Sequence, residues 1–113
     1  MQYALLIYGS SNTPQDAARP MEAAVAAVLT QPSVTGWARL HAEESATTVR
    51  NGDGRPLLTD GPFIETKEHL AGLVVVEAEN LDGALAVAQQ LQETRTAGAI
   101  EVRPMREGLF GGA

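Results

Sequence analysis

Residues 70–77, Leu-Ala-Gly-Leu-Val-Val-Val-Glu, place apolar side chains at successive positions, and Leu5-Leu6-Ile7 within Gln2–Tyr8 does the same. A strand of this kind has no polar face to turn to water and must be covered on both sides. That requirement limits the folds open to a chain of 113 residues. Such a chain makes one domain, which buries about two-thirds of the surface its unfolded form exposes. Hydrophobic residues make up 44% of the sequence but aromatic ones only 4%, so the core is aliphatic and thin. Association with a second copy is a natural way to enlarge it.

The remaining elements follow in order. Gly9-Ser10-Ser11-Asn12 breaks the first strand. Thr13, Pro14 and Asp16 predict a short turn over Pro14–Ala18, with a main helix from near Pro20. Met21, Ala24, Val25, Val28 and Leu29 form its apolar stripe, and Pro32 and Gly36 end it. Trp37–Glu43 reads as a second strand, with Trp37, Arg39, His41 and Glu43 on one face. Ala46–Arg50 and Leu57-Leu58-Thr59 flank Asn51-Gly52-Asp53-Gly54, a hairpin turn signal. After the strand over Leu70–Glu77, Asn80 caps a second helix with Leu81, Ala84, Leu85, Ala88 and Leu91 inward. Ala99–Met105 is the last strand, and Pro104 places its end at a sheet edge.

The order β-α-β-β-α-β, with an elongated middle hairpin, predicts a ferredoxin-like α+β fold: an antiparallel sheet with both helices on one face. One domain spans residues 1–107, followed by a Gly-rich tail, 108–113, loose unless Phe110 docks. Two helices leave the second sheet face bare. A homodimer joining two such faces into a dimeric α/β barrel is the expected arrangement.

Composition removes several classes of function. The chain has no cysteine, which excludes disulfides, thiolate catalysis and zinc–thiolate sites. Met1-Gln2-Tyr3-Ala4 has no basic signal-peptide region, and Ala4–Tyr8 is too short to span a bilayer. A cytoplasmic protein without membrane contact is expected. Fourteen acidic against eight basic residues give a net charge of −6, which argues against direct nucleic-acid binding. Gly52-Asp53-Gly54 lacks the helix start and lysine of a phosphate loop, and no nucleophile-elbow motif occurs.

Ionisable side chains concentrate in Asp60-Gly61-Pro62-Phe63-Ile64-Glu65-Thr66-Lys67-Glu68-His69. Asp60–Phe63, then Glu65–Glu68 and the Leu70–Glu77 strand, resemble the signature of the DGPF group of YCII-related proteins. Tyr3–Gly9, Ala46–Arg50 and Glu101–Pro104 resemble further segments of that family, so the likeness covers nearly the whole chain. The resemblance implies a ferredoxin-like fold, dimeric α/β barrels and a small-molecule cleft at the sheet face near the dimer interface. It also implies activities proposed for some members through a His/Asp pair, with one branch associated with dehydrochlorination of a chlorinated aromatic. For the DGPF group it implies an association with extracytoplasmic-function sigma factors. The family's helix-borne histidine has no counterpart in Met21–Leu29, and Glu93-Thr94-Arg95-Thr96 has no Asp-Pro-Tyr. The family's dyad therefore does not carry over.

Two readings of the Asp60–His69 segment remain. In one, Gly61-Pro62 is a rigid turn, Asp60 satisfies backbone donors, Phe63 plugs the core or a dimer seam, and the charges are a solvated or intersubunit patch. In the other, the segment rims a pocket for an unidentified small molecule, without a cofactor. There His69 or Asp60 is the catalytic acid or base, since histidine is the residue type that titrates around neutrality. Trp37, Arg39, His41, Glu65, Lys67 and Glu68 would bind the ligand. Lys67 and Arg39 would neutralise charge, and Trp37 would hold an apolar or aromatic group. His41 and Glu43 alone do not make a metal site. The competing class is a regulatory module that engages a sigma factor and performs no chemistry.

Overall fold

The computed structural model describes residues 1–10, 21–64 and 67–110. Its elements are β1 (Gln2–Ser10), α1 (Ala23–Leu29), β2 (Val34–Arg39), β3 (Thr47–Asn51), β4 (Pro56–Asp60), β5 (Glu68–Glu77), α2 (Leu81–Glu93) and β6 (Ala99–Pro104). A 3-10 turn at Glu43–Ser45 separates β2 from β3. The sheet order is β2-β5-β1-β6, every neighbouring pair antiparallel, and β3 and β4 pair apart from it. Each β-α-β unit thus has a strand from the other inserted between its own two. This is the ferredoxin-like α+β fold that the element order predicts.

The register explains the two-faced strands. Tyr3 lies opposite Val76 and Leu5 opposite Val74, whereas Ala4 and Leu6 face Val75 and Leu73. Side chains alternate along a strand, so the first set points to the helices. There it packs with Val28 and Leu29 of α1 and with Ala84, Val87, Ala88 and Leu91 of α2. Each such aliphatic side chain contributes about 1.5–3 kcal/mol by leaving water. The second set lies on the face that the helices do not cover.

Several sequence expectations need correction. The turn over Pro14–Ala18 and the helix start at Pro20 lie outside the described residues; α1 itself begins at Ala23. Ala24 is exposed, and Met21 and Val25 only partly join the core. In α2 the inward stripe is Ala84, Val87, Ala88 and Leu91; Leu81, in the first turn, is exposed and Leu85 is half-buried. Asn80 does cap this helix, accepting the Gly83 N–H at 3.2 Å. Asn80→Ala should lower stability by about 0.5–2 kcal/mol in urea denaturation. An unchanged midpoint would mean that the first turn holds without the cap.

The second strand runs over Val34–Arg39, not Trp37–Glu43. Its pairing steps from Val34–Val76 to Gly36–Val75, leaving Thr35 as an extra residue. This bulge puts Trp37 opposite Val74 and Arg39 opposite Gly72, on the helix-side register rather than the bare face. Ala38, opposite Leu73, takes the bare face instead.

The tail is not loose as far as Phe110. The Phe110 carbonyl accepts from Gln2 Nε2 at 3.3 Å, and its ring Cδ1 lies 3.8 Å from where a Cβ on Gly36 would stand. Gly36 is opposite Val75, which is buried although it points away from the helices. Part of the bare face is thus covered by the chain's own end. The face that two helices leave bare is to that extent covered without a second copy.

Candidate functional site

The ionisable groups gather at the end of the sheet where β5 begins. β1 continues past its pairing with the core to Gly9 and Ser10, which face His69 and Glu68. A register shift between Ile7 and Tyr8 marks where this extension departs from the regular ladder. Such irregularities re-aim side chains at sheet ends. His69 faces a glycine, so its imidazole meets no side chain across the strand pair.

What the imidazole does meet is Glu43. His69 Nε2 stands 3.9 Å from Glu43 Oε1, with the two side chains only 12% and 23% exposed. That separation suits an ion pair or a bridged contact, not a direct hydrogen bond. The 3-10 turn over Glu43–Ser45, held by Ser45 N–H to the Ala42 carbonyl at 2.9 Å, aims the carboxylate back at β5. The sequence reading put Glu43 on a strand beside His41. The turn separates the two, leaving His41 exposed after the strand has ended and Glu43 half-buried against His69.

Arg95 adds a cation that the sequence reading did not single out. Its Nη2 donates to the Tyr8 carbonyl at 2.6 Å, and its Nη1 to Gln92 Oε1 at 3.1 Å and the Ala99 carbonyl at 3.4 Å. Burial pushes its pKa below the usual arginine value, and the negative charge of Glu68 pulls it back up. Arginine remains charged at neutral pH, so Arg95 places a fixed positive charge at the Tyr8 carbonyl, within the field of Glu68. Gly98 makes this possible: its φ is +82°, and a Cβ there would stand 2.3 Å from the Tyr8 carbonyl oxygen and 2.5 Å from Arg95 Nη2. The Ala97-Gly98 step after α2 was the available sequence signal for a tight, glycine-dependent turn.

The other candidates lie elsewhere. Asp60 is exposed at the root of the β3–β4 hairpin, opposite Thr47. The corner after it is set by Gly61 N–H to the Ala46 carbonyl at 2.7 Å and Thr48 Oγ1 to the Gly61 carbonyl at 2.7 Å, with Gly61 at φ +97°. Those bonds, not an Asp60 side-chain turn, make the corner. Phe63 does not plug the chain's own core, being 63% exposed beneath Arg50. Trp37 and Arg39 sit exposed on the edge strand, and Lys67 is exposed before β5. Glu65 lies outside the described residues. Among those described, no three His, Asp or Glu side chains come together to hold a metal ion. Among the described residues, no helix is long and apolar enough to cross a membrane.

The antiparallel sheet with its two helices makes this a ferredoxin-like α+β protein. A model of the YCII-related domain matches residues 1–108, and the chain belongs to that family. It is also similar to an uncharacterized protein of Rhizobium meliloti (strain 1021), with 41% identity over 69 residues. That match covers 60% of this chain and 56% of the relative's length.

Proposed function

We propose that the protein binds a small molecule at the β5 end of the sheet and that His69 is the group that moves a proton there. The half-buried imidazole facing the Glu43 carboxylate is the observation that carries this reading. A half-buried imidazole with a carboxylate 3.9 Å away brings two groups that can carry or take up a proton to one place, which general acid–base catalysis needs. The Arg95 guanidinium, held at the Tyr8 carbonyl of the neighbouring strand, is a positive charge that a polar ligand group could meet at this end of the sheet. In this reading Arg95 joins Lys67 and Arg39 as a cation that could neutralise charge on the ligand. Asp60, at the hairpin root, is not part of this group.

The experiment is a ligand-observed NMR screen of small polar and aromatic compounds, followed by mapping onto the 15N-labelled protein. Compounds that shift the His69 ring and the Glu68 and Arg95 signals should bind at least about tenfold more weakly to His69→Ala and Glu43→Gln. Where a bound compound is turned over, His69→Ala should slow the reaction by about 10²–10⁴-fold. Compounds that bind the wild type and both folded variants equally would remove His69 from the site.

A further inference from the structure

Four places in the chain set an asparagine or aspartate directly before a glycine: Asn51-Gly52, Asp53-Gly54, Asp60-Gly61 and Asp82-Gly83. Such pairs are chemically unstable in an unfolded chain. The glycine amide nitrogen attacks the side-chain carbonyl carbon of the residue before it and closes a five-membered succinimide. Glycine suits the attack because it has no Cβ to crowd the forming ring. The attacking nitrogen must give up its proton and turn towards that side chain. An N–H held by an acceptor elsewhere is therefore guarded, since the hydrogen bond has to break first.

The fold guards three of the four. Gly52 N–H donates to the Arg55 carbonyl at 2.7 Å, and Gly61 N–H to the Ala46 carbonyl at 2.7 Å. Gly83 N–H donates to Asn80 Oδ1 at 3.2 Å, in the first turn of α2. Pro56 restricts the backbone of Arg55 to extended geometry and so steadies the acceptor of Gly52. Gly52 is also covered: a Cβ there would stand 2.6 Å from Leu57 Cγ.

Gly54 differs on each count. Nothing lies within 4 Å of where its Cβ would stand. Among the described residues, no group accepts its N–H and none bonds the Asp53 carboxylate. Both residues are exposed, in the connection between β3 and β4. Exposed loop tips are where local opening costs least.

We infer that Asp53 is the protein's site of spontaneous isoaspartate formation, singled out from the four pairs by a glycine amide that the fold leaves unheld. The Gly54 nitrogen bonds to Asp53 Cγ, and the carboxyl hydroxyl leaves with the amide proton as water. Water then returns to one of the two imide carbonyls. Addition at the side-chain carbonyl restores aspartate. Addition at the main-chain carbonyl leaves the chain running through Cγ, with the α-carboxylate as the new side group. Nothing is consumed, and the formal charge is unchanged. The product lengthens the backbone at the hairpin tip and presents an α-carboxylate to solvent, the group that isoaspartyl-directed methyltransferases esterify. Thr47 and Asp60 pair at the other end of the hairpin, the end that leads to Glu43 and His69. The reaction at the tip is therefore independent of the proposed ligand site.

The test is prolonged incubation of the full chain in mildly acidic buffer, where part of the aspartic acid is protonated and its hydroxyl can leave. Peptide mapping by mass spectrometry with electron-transfer fragmentation distinguishes isoaspartate from aspartate at each position. The folded chain should form isoaspartate at Asp53 about tenfold faster than at Asp60 or Asp82, with Asn51 still an amide. The same chain unfolded in guanidinium chloride should react at all four positions, the three aspartates at similar rates. Asp53→Glu, which would need a larger ring, should remove the isoaspartate of the folded chain and leave its circular dichroism unchanged. Equal rates at the three aspartates of the folded chain overturn the inference. So does an Asp53 that stays intact while the unfolded chain reacts, or an Asn51 that deamidates as fast folded as unfolded.

Discussion

Gly98→Ala is expected to lower stability by about 3 kcal/mol or more, against a total of about 5–15 kcal/mol for a domain of this kind. Two costs combine. The glycine sits at φ +82°, where an L side chain costs about 1–2 kcal/mol. The added methyl would also stand 2.3 Å from the Tyr8 carbonyl oxygen. That oxygen belongs to backbone in the middle of the sheet and cannot move aside cheaply. The displaced group would be Arg95, whose Nη2 bonds the same carbonyl at 2.6 Å. Denaturant titration measures the loss. Arg95→Met provides the comparison, because it removes the guanidinium without crowding the glycine. If Gly98→Ala proves neutral, the Tyr8–Arg95–Gly98 contact is not as tight as described.

Leu5→Ala should cost a further large amount, about 2–5 kcal/mol. Leu5 is fully buried, at the centre of β1, between Val74 and Val102 in the ladder and beneath both helices. The cavity left there would lie within the core cluster that the sheet forms with α1 and α2. The melting temperature should fall by at least about 4 °C per kcal/mol. Leu6→Ala is the control, because its side chain points to the bare face and is only half-buried. Equal losses at the two positions would contradict the assignment of the two faces.

What could be read from the sequence and what could not divide along a physical line. Strand runs, the Asn80 cap and the β-α-β-β-α-β order depend on near neighbours, and they were legible. The face of Trp37 was not, because it depends on one extra residue at Thr35 in a strand paired with residues far along the chain. Neither was the nearness of Glu43 to His69, since only the folded chain brings the two side chains together. Arg95 escaped notice because an arginine after a helix is ordinarily a solvated C-terminal charge. Its role comes from the β1 carbonyl that tertiary packing delivers to it. The Asp60–Phe63 corner, conspicuous as a motif, lies at the root of the hairpin and not beside the half-buried His69–Glu43 pair.

The docking of Phe110 beside Gly36 has a consequence for anything that lies along the uncovered face of the sheet. Val75 and Gly36 mark the end already occupied, and a Cβ on Gly36 would meet the Phe110 ring at 3.8 Å. A visiting segment sliding along the strands from the Leu6–Leu73 side reaches that ring and halts. The tail is an end-stop, and it converts a surface on which an apolar segment could settle at many offsets into one with a defined berth.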